Sequence, residues 1–150
     1  AYVFKAYPSI DTKTELYKIP TSRNMCPDFR QNRTTVKIMF NTAVSNTGDP
    51  LRNHDFSLTN KGWRLSPLFD VNPVPYVDCL SLNITEYDNA LDPTLAFEAA
   101  PQFDLTRKAA EKYAETICDT VQRNWIYWAE HAGLGRSAIE MMRPAFSLKL

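Results

Sequence analysis

The chain has no charge excess of either sign: 17 Lys and Arg stand against 17 Asp and Glu across 150 residues. A balanced chain of this kind is not expected to grip nucleic acid electrostatically, because phosphate backbones are met by a basic face. Long apolar runs are missing as well. No stretch of ~18 apolar residues is available to span a bilayer, so no membrane insertion is expected. Nor does the chain open on a charged-then-apolar leader. Its first residue is Ala1 rather than Met, from which a fragment boundary is expected. Cysteine is scarce, with Cys26, Cys79 and Cys118 widely spaced and no C-x-x-C pair, and the only histidines are His54 and His131. A structural zinc site is therefore not expected. Reduced thiols in a cytoplasmic protein are the plain reading of such cysteine usage. Two N-x-T sequons, at Asn32 and Asn83, carry no meaning without secretion. No internal repeat or low-complexity segment occurs.

What is present reads as one domain, or one lobe of something larger, over residues 1–150. It is large enough to bury roughly two thirds of its unfolded surface. Ser9 could cap a short helix over Ile10–Ile19, ended by Pro20, with a loop over Thr21–Pro27. From Asp28, a plausible N-cap, Phe29, Val36, Met39, Phe40, Ala43 and Val44 recur at three- and four-residue spacing. That spacing predicts an amphipathic helix running to about Ser45 and aiming its C-terminal end at a polar loop, Asn46–Asn53. Phe56–Leu58 and Trp63–Leu65 alternate around an N-K-G turn and predict a β-hairpin. Pro67, Pro73 and Pro75 make residues 66–78 irregular, and Cys79–Ile84 alternates briefly as a candidate short strand.

The second half is helical. Asp92-Pro93-Thr94 opens a helix through Phe97 to Ala100. The strongest pattern runs from Leu105 to His131, with Asp104 as N-cap and Gly133 as left-handed terminator. Its expected inner stripe is Ala110, Tyr113, Ala114, Ile117, Val121, Trp125, Trp128 and Ala132; the two tryptophans read as core rather than as a ligand-stacking pair. Ser137 and Glu140 form a capping-box pattern for a last helix broken by Pro144. The fold class that follows is mainly α with a small β-hairpin.

The chemistry-bearing residues gather around the hairpin. The loop offers Asp49 and Asn53, and the turn after the second strand offers Asp70. A hairpin returns the chain close to where it left, so Asn53 and Asp70 can meet although distant in sequence. An amide and a carboxylate side by side are hard oxygen ligands of the kind Mg²⁺ takes beside phosphate oxygens. Asn and Asp also fill ordinary turns, because they hydrogen-bond their own backbone and tolerate the left-handed region.

The wording of the stretch is more specific. Ser45-Asn46-Thr47-Gly48-Asp49-Pro50-Leu51-Arg52-Asn53-His54-Asp55-Phe56, followed by Trp63-Arg64-Leu65-Ser66-Pro67-Leu68-Phe69-Asp70-Val71-Asn72-Pro73, resembles the catalytic segment of HipA-like serine/threonine kinases, the toxins of bacterial toxin–antitoxin pairs. The family pattern is S-N-T-D-D-H-L-R-N-H-G-F before a hairpin ending in W-R-L-S-P-x-x-D-x-N-P. Two departures from it fall at the chemistry: Gly48 and Pro50 stand where the family has Asp and His.

The resemblance implies a protein-kinase-like C-terminal lobe of the HipA type, with Mg²⁺ and ATP as cofactors. It also implies a protein substrate and an antitoxin-like DNA-binding partner. It maps the two metal ligands onto Asn53 and Asp70 and places the family's catalytic base at Gly48, which has no side chain to accept a proton. Asp49 is the one neighbouring carboxylate, and its use as the catalytic acceptor requires a changed path through Gly48 and Pro50. No G-x-G-x-x-G or Walker motif occurs, so the nucleotide-gripping N-terminal lobe has no counterpart here. The expectation is a catalytic lobe impaired by Gly48. The alternatives are a non-catalytic, partner-binding pseudokinase module, or a helical domain whose polar loop is only a loop. Separation of Asn53 from Asp70 by more than ~8 Å favours the last.

Overall fold

The computed structural model describes residues 33–60 and 62–148. The expected helix over Ile10–Ile19, the loop over Thr21–Pro27 and the Asp28 cap lie outside the described residues. Five longer elements follow in order: α1 (Arg33–Ala43), a hairpin of β1 (Phe56–Thr59) and β2 (Gly62–Leu65), α2 (Pro93–Ala99) and α3 (Arg107–His131). A short α4 (Arg136–Met142) closes the chain with a 3-10 turn, Arg143–Phe146. Among the described residues the protein is thus mainly helical with one small antiparallel hairpin, as the periodicities predict.

α1 lies against both α2 and α3. Ile38 and Met39 join Ile84, Phe97, Phe103 and Ala110 in the larger core cluster. Ala43 and Val44 meet Cys118 and Val121 of α3 in a second. Three alanines of the larger cluster, Ala96, Ala100 and Ala110, are fully enclosed, and small side chains there let the helices approach closely. At the far end of α3, the Trp125 ring stacks on Phe146 with centroids 4.5 Å apart. The Arg143 guanidinium sits 5.6 Å above the same indole, so the final turn is pinned back onto α3.

The hairpin pairs Phe56 with Leu65 and Thr59 with Gly62. Leu65 is buried and Phe56 packs on the core, while Leu58, two residues on along the same face, is exposed, so the ribbon meets the core at its open end and not at its turn. Beyond it the chain is irregular to Val77, as the prolines predict.

Four expectations are corrected. Cys79–Ile84 is not a strand; it makes a single bridge, Cys79 with Ala90. Its other backbone groups find scattered partners rather than one ladder: the Ile84 amide donates to the Asp88 carbonyl, Asn89 Nδ2 to the Leu80 carbonyl, and the Ser81 amide to the Thr47 carbonyl. Asp104 does not cap α3. It adopts φ 56 and ends the 3-10 turn Ala100–Phe103, whereas Thr106 caps α3 by accepting from the Ala109 amide. The reason is Leu105, buried in the core: the chain must turn at Asp104 to insert it before the helix begins. The Ser137–Glu140 box does not form either. Gly133, at φ 83, ends α3 with its own amide bonded to Glu130 and the Leu134 amide to Ala129. Gly135 then starts α4 directly, Ser137 falls inside the helix, and Glu140 pairs with Arg143. Finally, Trp125 is buried but Trp128, Tyr113 and Ala132 face outward, so the inner stripe of α3 passes through Cys118 instead.

Candidate functional site

α1 ends in a way that its sequence hides. Ser45 takes φ 50, its amide donating to Thr42, while the Asn46 amide reaches back to the Asn41 carbonyl at 2.8 Å. This pair of hydrogen bonds is the left-handed helix stop that glycine usually makes, here made by a serine. Holding a residue with a Cβ in that region costs on the order of 1–2 kcal/mol. The turn throws the chain sharply into the polar loop instead of letting it run on.

The loop is then stitched to the segment that follows the hairpin. Asn46 Nδ2 donates to Asn41 Oδ1 at 3.0 Å, and Asn46 Oδ1 accepts from the Asn72 backbone at 3.1 Å. The Val74 amide donates to the Ser45 carbonyl, and the Ser81 amide to the Thr47 carbonyl. These bonds bring the Asp70 turn alongside the loop.

Asn53 and Asp70 meet there. Asn53 Nδ2 donates to Asp70 Oδ2 at 3.0 Å and lies 3.4 Å from the Gly48 carbonyl oxygen. Asp70 takes φ 54, and its other carboxylate oxygen accepts from Asn72 Nδ2 at 2.8 Å. Asn53 is buried; Asp70 is exposed. The pair therefore opens to solvent on its acidic side. The separation is far inside the limit at which the loop would have to be read as a mere turn.

Asp49 sits differently. It is buried, with Asn41 Nδ2 donating to one carboxylate oxygen and Lys37 Nζ 3.4 Å from the other. Lys37 Nζ also donates to the Asn53 carbonyl at 2.6 Å. His54 Nε2 lies 3.4 Å from Asp49, while His54 Nδ1 lies 3.3 Å from the Pro50 carbonyl. Burial pushes the His54 pKa down to about 3, helped by the charge of Lys37, so the ring is neutral at physiological pH. Burial also raises the Asp49 carboxyl and lowers the Lys37 ammonium, each shift opposed by the partner's charge.

Among the described residues, no group of three or more His, Cys, Asp or Glu side chains is set to hold a metal ion. Mg²⁺ does not require one, since it is commonly held by one or two protein oxygens together with substrate phosphates and water. Asp70 supplies a carboxylate at the surface. A half-turn of the Asn53 amide presents oxygen in place of nitrogen, with the Gly48 carbonyl beside it. That donor set suits a hard cation.

The sequence reading picked out Asn53, Asp70 and Asp49 but passed over Lys37, Asn41, Asn46, His54 and Asn72. One signal was available: Lys37 and Asn41 stand four residues apart on a helix whose neighbours Ile38 and Met39 are core. Two polar residues on the buried side of a helix need partners.

The family model of the HipA-like C-terminal domain matches residues 15–125. No curated protein and no solved structure matches the chain.

Proposed function

Because the chain belongs to the HipA-like C-terminal domain family, we propose that it is the C-terminal catalytic lobe of a serine/threonine protein kinase of a toxin–antitoxin pair. The reaction of such a lobe is phosphoryl transfer from ATP to a protein hydroxyl in the cytoplasm, under the control of an antitoxin-like DNA-binding partner. The observation that carries this reading is the 3.0 Å approach of Asn53 to Asp70, which puts an amide and a carboxylate on one face of the loop. These two residues would hold Mg²⁺, which when bound neutralises charge on the nucleotide phosphates. The buried Asn53 side chain orients toward Asp70, and the exposed Asp70 meets the incoming nucleotide.

At Gly48 the chain has no group to take the proton of a substrate hydroxyl. Asp49, its neighbour, is buried and bound by Lys37 and Asn41. A general base has to come within hydrogen-bond reach of the proton that it removes. The same observation supports the second reading, a non-catalytic pseudokinase module that keeps its cation pair and acts through its partner.

The test is Mg²⁺-dependent nucleotide binding, followed by calorimetry in wild type, Asn53→Ala and Asp70→Ala. Binding in wild type and its loss in both variants are expected. Undiminished binding in the variants removes the pair from the site. Transfer of γ-phosphate by this chain alone at a kinase-like rate, on the order of 1 s⁻¹, overturns the impaired reading.

A further inference from the structure

Lys37 and Asp49 form an ion pair in which both side chains are more than nine-tenths buried. Such a pair is a poor way to gain stability. Desolvation costs several kcal/mol per ion, and well-packed apolar residues often serve a fold as well or better. The arrangement has another use in its connections. The Lys37 ammonium leaves α1 and touches the polar loop twice, at the Asp49 carboxylate and at the Asn53 carbonyl. Asn41, one turn further along α1, binds the opposite oxygen of Asp49. The loop is thereby tied at residues 49 and 53 to one rigid helix, and Asn53 is the residue whose side chain reaches Asp70.

We propose that Lys37 and Asp49 are positioning residues for the Asn53–Asp70 pair: Asp49 holds the Lys37 ammonium, and that ammonium fixes the Asn53 backbone so that its amide faces Asp70. The carboxylate of Asp49 is thus committed to the loop rather than to accepting a proton. The cation side of this inference rests on the reading of Asn53 and Asp70 as Mg²⁺ ligands; the orientation of Asn53 does not.

The experiment uses the whole chain and two readouts. The first is Mn²⁺ binding, measured by electron paramagnetic resonance as loss of the free-ion signal. The second is the Asn53 side-chain amide resonance in the metal-free protein. Groups that orient metal ligands typically contribute 10–100-fold to affinity, so Asp49→Asn and Lys37→Met are each expected to weaken Mn²⁺ binding by about that factor. Both are expected to shift the Asn53 amide resonance before any metal is added. Lys37→Arg, which keeps the charge and the donors, is expected to recover part of the affinity.

A folding defect is separated from a positioning defect by the double variant Lys37→Met/Asp49→Leu, which removes both charges together and leaves neither unpaired. Regained thermal stability with Mn²⁺ affinity still low supports positioning. Regained stability together with wild-type affinity and an unmoved Asn53 resonance shows a purely structural pair and overturns the proposal. If wild type binds no Mn²⁺, the cation reading of Asn53 and Asp70 fails, and the metal-free resonance of Asn53 decides the positioning claim by itself.

Discussion

The Asn53 side-chain amide lies 3.0 Å from the Asp70 carboxylate, across seventeen positions of sequence. The hairpin accounts for the return of the chain, because Phe56 pairs with Leu65 and the strands run antiparallel. Side-chain and backbone bonds from Asn46, Ser45 and Thr47 then hold the returning segment in place. The pair is therefore a product of two separate devices, and each can be tested.

Asn46 is the more exposed to challenge. Its side chain is fully buried and joins Asn41 to the backbone of Asn72. Asn46→Ala removes the partner of the buried Asn41 side-chain oxygen and of the Asn72 backbone amide, which costs about 1–3 kcal/mol. Chemical denaturation is expected to show that loss. A variant as stable as wild type contradicts the bridging role.

Gly48 has room for a side chain. A Cβ built there meets nothing within 4 Å, and its backbone lies outside the left-handed region. Gly48→Asp is therefore expected to stay within about 0.5 kcal/mol of wild-type stability. In a chain that also carries a nucleotide-gripping lobe, the added carboxylate is expected to raise phosphoryl transfer by ~10²-fold or more, the usual contribution of a general base. An unchanged rate in a folded variant overturns the proposal that position 48 is where the base would act.

His54 makes stability depend on pH. Its pKa is about 3 in the fold, below its ordinary value of 6.5, so between these values the unfolded chain holds a proton that the folded chain lacks. Stability from this group is complete above the unfolded value and falls as pH drops, by about 1.4 kcal/mol per unit through that window. Urea midpoints at pH 7 and pH 5 should fall in wild type by more than in His54→Gln. Equal slopes in the two proteins would falsify the assignment.

The caps of α3 and α4 separate the sequence reading from the structure. Thr106→Ala removes the bond to the Ala109 amide and is expected to cost about 1 kcal/mol. Ser137→Ala touches no cap, since Gly135 occupies that position, and is expected to stay within about 0.5 kcal/mol. Thermal melts of both variants decide between the two assignments; a larger loss at Ser137 restores the capping box.

Several elements were legible because their signals are local. The alternation around Asn60-Lys61-Gly62 placed both strands, and the apolar spacing of Val36, Met39, Phe40 and Ala43 placed α1. Pro93 after Asp92 marked the start of α2, where Asp92 accepts from the Thr94 amide. The misplaced features have non-local causes. Leu105 had to enter the core before α3 could begin, which moved the cap from Asp104 to Thr106. Trp128 looked inward by spacing, yet Cys118 and Val121 already set the side of α3 that faces α1.

By itself, the sequence determined the mainly helical class, the hairpin, the resemblance carried by its loop and turn, and the absence of a proton acceptor at Gly48. Those follow from residue identity and short spacing, which short-range sterics and hydrogen bonding convert directly into local structure. Only the tertiary structure decided which side chains share one space. It brought Asn53 to Asp70, and it gave Asp49 to Lys37 and Asn41. A loop of fixed sequence can aim a carboxylate in several directions at nearly equal local energy. The choice among them falls to the helix packed beneath it, whose buried ammonium must find a partner.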